Sequence, residues 1–204
     1  MRQQIAAFAL ATLALSSGGH ATTVSTDMTV DNAFNFFVST NDSLPGTLVG
    51  TGNNWPVTYS FTGLLTPGVT NYLHVQAINQ GGPGGFIGDY TLSDGAFKFS
   101  NGTQSLLTET ADWRMSMSGF GSGYLTPTDE GANGVSPWGT RPGISANAHW
   151  IWANSNCDSC TLYFSSTITP TIPEPETYAM MLAGVLLLGF TAWRRQGGLL
   201  VRPA

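Results

Sequence analysis

Two cysteines and two histidines are the side chains of the central chain whose types and spacing most directly suggest chemistry. Cys157 and Cys160 form a Cys-x-x-Cys pair, a spacing found in disulfides, redox centres and half of a zinc site. Zinc would need two further ligands, and His74 and His149 are the only histidines after Ala21. If the chain is exported, as the patterns of its two termini indicate, the oxidising compartment favours a structural disulfide. Free thiols and a metal or redox role are the alternatives.

The acidic residues give little support for catalysis. The sequence has neither His-Glu-x-x-His nor Gly-x-Ser-x-Gly. Glu109 with Asp112, or Asp129 with Glu130, could act as a carboxylate pair in glycoside hydrolysis, although turn or surface roles are the alternative. We therefore expect no enzyme and no cofactor.

Calcium is the one metal that the composition leaves open, as a structural ion. Such a site needs about 6–8 oxygen ligands. Asp27, Asp31 and Asp129 are too scattered along the chain to nominate as its ligands. No metal site is predicted.

Three residues have the chemistry of a carbohydrate site. The C–H faces of sugars stack on aromatic rings, while amide groups bond to their hydroxyls. Trp55 follows Asn53 and a second asparagine, and Trp138 lies in a glycine-rich segment. We predict Asn53, Trp55 and Trp138 as ligand-binding residues, with packing beneath a turn as the alternative for Trp55. The remaining tryptophans of the predicted strands are assigned to the core: Trp113, Trp150 and Trp152.

The charge of the central chain excludes one class of partner. Between Thr22 and Ile172 there are three basic and ten acidic side chains, a net charge of −7. Repulsion from phosphate opposes nucleic acids and anionic lipid surfaces. We expect no nucleic-acid partner.

The first 21 residues have the pattern of a secretory signal peptide. Arg2 precedes an apolar run over residues 5–15, and small residues occupy the −3 and −1 positions of a cleavage site after Ala21. The run is shorter than the about 20 residues of a membrane span. A buried N-terminal helix is the alternative.

The C-terminus carries a second apolar run. It extends from Tyr178 to Trp193 without a charge, and Arg194 and Arg195 follow. We predict a short transmembrane helix over residues 178–193, with the basic tail 194–204 on the cytoplasmic side. The preceding residues, 170–177, form a stiff proline-rich linker.

Pro173, Glu174 and Pro175, the apolar run and the arginine pair together resemble the PEP-CTERM sorting signal of Gram-negative bacteria. The resemblance implies that an exosortase-type membrane protease recognises the tail and processes it near the motif. The chain would then be held briefly in the inner membrane and finish at the cell surface or in the extracellular matrix. An anchor that is never processed is the alternative.

Between the two ends, residues 22–169 predict an all-β sandwich. Short β-prone runs alternate with turns, and no amphipathic helix pattern occurs. Asn101 and Gly102 predict a hairpin, and residues 119–146 predict a long loop. The predicted strands are 33–39, 57–65, 70–79, 86–92, 96–100, 105–109, 113–118, 149–153 and 161–168.

The same region resembles the galactose-binding-like jelly-roll modules of bacterial glycosidases and lectin-like proteins. The features that carry the resemblance are Gly50, Gly52, Trp55, Asn79 and the glycine-rich turn 81–85. It implies a jelly-roll winding and a carbohydrate ligand, here an extracellular polysaccharide. The competing hypothesis is a structural protein of the extracellular matrix or biofilm with no defined small ligand.

Overall fold

The computed structural model describes residues 21–153, 157–171 and 175–197. In that part of the chain, twelve β-strands precede one helix. The strands are β1 (Thr23–Asp31), β2 (Ala33–Ser39), β3 (Thr47–Gly52), β4 (Tyr59–Leu64), β5 (Asn71–Asn79), β6 (Gly85–Leu92), β7 (Phe97–Phe99), β8 (Ser105–Leu107), β9 (Arg114–Ser116), β10 (Thr128–Ala132), β11 (His149–Trp152) and β12 (Cys160–Pro170), and the helix is α1 (Pro175–Gly197).

The strands form two six-stranded antiparallel sheets. Sheet A has the order β10-β11-β6-β1-β4, and β8 also pairs with β6. Sheet B has the order β3-β2-β5-β12-β7, and β9 also pairs with β12. The longest ladder joins β5 to β12, from Asn71 opposite Ile168 to Asn79 opposite Cys160. These sheets confirm the predicted all-β class, while the jelly-roll winding stays a prediction.

The main core lies between the two sheets. Alternation along β1 buries Val24 and Met28, while Ser25 faces outward. Aromatic rings meet across the interface, with the centroids of Phe86 and Phe164 5.1 Å apart. Each large apolar side chain buried in this way contributes about 1.5–3 kcal/mol.

A second, smaller core lies on the other face of sheet A. Ile87 and Trp150 alternate with main-core residues of their strands and point away from sheet B, and the segment 133–148 covers them with Trp138 and Ile144. Asn133 fixes the path of this segment. Its side-chain amide donates to the carbonyls of Arg141 and Ile144 and accepts a bond from the Arg141 N–H.

Two sequence expectations about the chain path are wrong. The predicted loop 119–146 contains β10, which pairs with β11 at the end of sheet A. Asn101 and Gly102 do form a turn, in which the Gly102 N–H bonds to the Phe99 carbonyl. It is not a hairpin, because β7 before it belongs to sheet B and β8 after it to sheet A.

The C-terminal helix forms where the apolar run predicts one, and α1 extends beyond that run at both ends. The transmembrane span predicted for residues 178–193 is not supported. In the described part of the chain, no helix combines the length and apolar character needed to cross a membrane. The apolar run has fewer residues than the about 20 of a full span.

Candidate functional site

The side chain of the predicted ligand residue Trp138 is almost completely buried. It is 4% exposed, and its ring stacks on Trp150 with centroids 4.6 Å apart. Its indole N–H donates a 2.9 Å bond to the buried Asp31 carboxylate. Trp138 therefore anchors the segment 133–148 to sheet A, and its predicted ligand role stays a prediction.

Trp55 lies in the connection between β3 and β4, half-buried against the second core. The Arg141 guanidinium lies 5.3 Å from the centroid of the ring and donates to the Pro56 carbonyl. Asn53 is exposed, and its backbone N–H bonds to the Tyr59 hydroxyl at 3.3 Å. The structure thus covers one face of the Trp55 ring with a cation, and a ligand role for Asn53 and Trp55 stays a prediction.

A cleft of about 500 Å³ lies at the end of the sandwich where the chain passes from β5 to β6. It is within the range of small-ligand sites. Its polar lining comes from β10 and from the start of the Cys157–Cys160 segment. The lining residues are Gly82, Pro83, Gly84, Thr128, Glu130, Trp138, Trp152, Ala153, Cys157 and Asp158.

The wall formed by the glycine-rich turn is held by Asn79, the last residue of β5. Its buried side-chain amide donates to the carbonyls of Gly82 and Cys157, both at 2.9 Å, and accepts from the Gly81 N–H at 3.0 Å. Cys157 and Cys160 form the predicted disulfide, with Cα atoms 5.5 Å apart. One side chain therefore joins the turn to the disulfide segment.

Trp152 lines this cleft, and its indole N–H is an unpartnered donor buried beneath the cleft surface. The side chain is 4% exposed, and its indole N–H has no partner within the described residues. The edge carrying this nitrogen packs on Gly84, where an added Cβ would meet it within 2.3–2.6 Å. Only glycine leaves room for the ring here. A buried donor without a partner carries a cost of about 1–3 kcal/mol, and the packing on Gly84 leaves no room for a ligand atom beside it.

A β-bulge directs Glu130 into the cleft. The pairing of β10 with β11 steps from Asp129 to Gly131, so Glu130 is the additional residue. Bulges of this kind re-aim a side chain and are frequent beside binding sites. Burial, and then the nearby Asp129 carboxylate, raise the pKa of Glu130. Neither Glu130 nor Asp158 belongs to an ion pair within the described residues.

The second carboxylate of the bulge, Asp129, faces a different partner. Its Oδ1 lies 2.8 Å from Nδ1 of His149, and this bond lowers the pKa of Asp129. Hydrogen bonding to Asp112 raises the pKa of Glu109, and His149 acts on it in the opposite sense. The structure therefore places Glu109 near Asp112 and Asp129 against His149. Asp129 and Glu130 do not act as a pair, because Asp129 contacts His149 while Glu130 lines the cleft.

His74 belongs to a network centred on Asp42. Oδ1 of Asp42 accepts bonds from the Tyr124 hydroxyl at 2.9 Å and the Ser165 hydroxyl at 3.0 Å, and Arg114 lies 3.3 Å from Oδ2. The buried His74 ring lies 3.4 Å from the same carboxylate and stacks on Phe120. Because the carboxylate stands between Ser165 and His74, the histidine is not positioned as a base for that hydroxyl.

A second groove of about 510 Å³ lies on sheet A. Its lining includes Ser25 and Asp27 of β1 and Asp89 of β6. Asp27 lies opposite Asp89 in the ladder and accepts a hydrogen bond from the Ser60 hydroxyl. Burial, and then Asp27, raise the pKa of Asp89. Within the described residues, no group of three or more His, Cys, Asp or Glu side chains could hold a metal ion. Asp27, Asp31 and Asp129 accordingly form no common site, and calcium stays untested.

The sorting residues lie partly outside the described residues, which exclude Pro173 and Glu174. Pro175 begins α1, a position where its missing N–H costs nothing. Arg194 is exposed near the other end, beside the Phe190 ring, and Arg195 follows in the helix. At the other terminus, β1 begins two residues after Ala21, and the signal segment before Ala21 lies outside the described residues.

The sequence signals of the cleft were present but dispersed. From the sequence, Glu130 is half of a candidate carboxylate pair, and the prediction that Trp152 belongs to the core is confirmed by its burial. Thr128 and Asp158 were missed, because no spacing in the sequence links β10 to the cysteine segment. The glycine-rich turn beside the Cys-x-x-Cys pair was the available clue.

Comparisons with known proteins identify one segment. Residues 171–196 match the family model described as the PEP-CTERM protein-sorting motif. No curated protein and no solved structure matches the chain.

Proposed function

From the PEP-CTERM sorting motif that the chain carries at residues 171–196, which indicates an exported protein processed at the membrane, we propose a non-catalytic polysaccharide-binding protein of the cell surface. An exosortase-type membrane protease recognises its tail. The β-sandwich then binds extracellular polysaccharide through the cleft at the β5–β6 turn.

The observation that carries the binding proposal is the half-buried Glu130 carboxylate in that cleft, which belongs to no ion pair within the described residues. Sugar hydroxyls donate to such a carboxylate, and sugar ring faces pack on aromatic edges. Glu130, Thr128 and Asp158 supply acceptors for sugar hydroxyl protons around the same space. The cleft volume fits one or two sugar rings, within the usual size of such sites.

The geometry of the titratable groups supports a role without catalysis. Ser165 and His74 both contact the Asp42 carboxylate and do not form a hydrogen bond with each other among the described residues. Interaction with the Asp112 side chain raises the pKa of Glu109, and neither residue lines the cleft. These arrangements serve structure, so bound polysaccharide should be retained and not cleaved.

The binding test uses immobilised polysaccharides and a glycan array with wild-type protein and two matched variants. Glu130→Gln alters the cleft, and Glu109→Gln makes the same chemical change at an exposed position outside its lining. We expect retention of the wild type, weaker binding of Glu130→Gln and no change for Glu109→Gln. Failure of every glycan to bind, including the exopolysaccharide of the producing bacterium, contradicts the proposal.

A matrix role without a defined ligand is the second candidate, and exposed leucines favour it. Leu44 and Leu64 are 58% and 69% exposed and border a groove of about 250 Å³ beside the edge strands β3 and β4. Neither edge strand carries a charge or a proline, the usual protection against pairing between sheets. This role predicts concentration-dependent self-association without glycan binding, which sedimentation velocity would detect.

A further inference from the structure

We propose that the cleft at the β5–β6 turn selects a cationic amino sugar, such as a glucosamine unit with a free ammonium group, over neutral and acidic sugars. The inference rests on the proposed polysaccharide binding and specifies the ligand class of that site.

The first argument is the charge of the lining. Two carboxylates, Glu130 and Asp158, border the cleft, and the described residues of its lining include no lysine, arginine or histidine. A uronic acid would place a third negative charge in the same space, at a cost that increases as water is excluded. An ammonium group instead meets complementary charge.

The second argument is that Glu130 is partly buried without a cation. Arg141 is engaged with the Pro56 carbonyl and Arg114 with Asp42. Among the described residues, the three ion pairs leave Glu130 out. A carboxylate that loses water on burial gains most from a partner with formal charge, because charge-assisted bonds are about twice as strong as neutral ones.

The third argument is the position of the indoles. Trp152 and Trp138 line the cleft beside Glu130 and are each only 4% exposed, so they form an apolar wall of low dielectric, in which the attraction between a carboxylate and a cation is stronger than in water. An amino sugar therefore offers the cation that Glu130 lacks among the described residues.

The test measures binding of three tetrasaccharides of equal length to the full chain in detergent by isothermal titration calorimetry. The probes are tetramers of glucosamine, N-acetylglucosamine and galacturonic acid. We expect glucosamine to bind at least about tenfold more tightly than its N-acetyl form, as for a partly buried charge pair. Galacturonic acid should bind most weakly.

Two variants separate site binding from diffuse attraction to an acidic protein. Glu130→Gln should remove the preference for the free amine, whereas Glu109→Gln, with the same change in net charge, should keep it. Their unfolding midpoints establish that both variants are folded.

The remaining outcomes distinguish failure of the amino-sugar inference from failure of the proposed function. Equal or tighter binding of the N-acetyl or acidic tetramer overturns the amino-sugar inference but leaves polysaccharide binding intact. An equal loss in both variants also overturns it, because the attraction would then be diffuse. Absence of binding by all three tetramers and by the polysaccharides of the preceding test contradicts the proposed function itself.

Discussion

Trp138 ties the segment 133–148 to sheet A through two interactions of different kinds: its ring stacks on Trp150, and its N–H bonds to the buried Asp31 carboxylate. Trp138→Ala removes both and leaves a cavity, so we expect a loss of about 3–5 kcal/mol in the free energy of unfolding. Trp138→Phe keeps an aromatic ring and should cost about 1–3 kcal/mol, mainly for the lost bond to Asp31. Urea denaturation measures both. Losses under about 1 kcal/mol for both variants would show that this segment contributes little to the fold.

His74 should make stability depend on pH. Burial lowers its pKa from the ordinary value of 6.5, and this outweighs the favourable effect of Asp42 and of the Pro45 carbonyl. The unfolded chain therefore binds a proton near pH 6.5 that the folded chain does not, so stability is full above that pH and falls as the pH decreases.

The measurement is the urea midpoint between about pH 5 and pH 8, where histidine is the side chain that ordinarily titrates. We expect the wild-type midpoint to fall with decreasing pH, and the slope to be smaller in His74→Gln. The Asp42 carboxylate has a lowered pKa and loses its contribution only at pH values below its ordinary value of 3.8. An identical slope in both proteins would assign the pH dependence to other groups.

At the scale of elements, the turn between β5 and β6 determines the shape of the cleft. Gly84→Ala would place its Cβ against the Trp152 indole, so the ring or the turn must move. We expect a loss of about 1–3 kcal/mol from overpacking, together with weaker glycan binding.

Gly95→Ala is the matched control for this prediction. Gly95 also lies in an irregular connection, and the nearest atom to its added Cβ is the flexible end of Gln104 at 3.4 Å. It should change neither stability nor binding. Unchanged glycan binding by a folded Gly84→Ala protein would mean that the Trp152 wall is not part of the site.

The elements found from the sequence were those with concentrated apolar residues. β5 and β12 alternate clearly and carry the longest ladder, so their pattern was sufficient. β1 was missed because threonine and serine dilute its alternation of Val24, Met28 and Val30. β3 was missed because it is a largely exposed edge strand containing two glycines.

The candidate site was less predictable than the strands. A bulge at Glu130 depends on which residue of β11 each residue of β10 faces, and that register is set by tertiary packing. The sequence alone presents Trp138 as a loop residue suited to stacking on a sugar. The small core that buries it includes Ile87 and Trp150, which come from distant strands. Burial by residues far along the chain was the information that the sequence pattern lacked.

For the whole molecule, sorting should depend on the segment that matches the motif. Deleting residues 174–195 should leave the protein exported but absent from the surface fraction, because the exosortase-type enzyme has no tail to recognise. Cell fractionation with immunoblotting measures this. Deleting residues 197–204, just after the matched segment, should not alter sorting. The tail assignment is contradicted if the 174–195 deletion reaches the same fraction in equal amount.

The position of β12 has a mechanical consequence. The strand runs from Cys160, next to the cleft, to Pro170, next to the tail, and spans about 35 Å. While the tail is held at the membrane and a polymer is held in the cleft, tension would load this strand along its axis. Its hydrogen bonds to β5 would then be pulled together in shear instead of opening one after another. If the sandwich binds matrix polymer as proposed, its longest ladder would bear the pulling force.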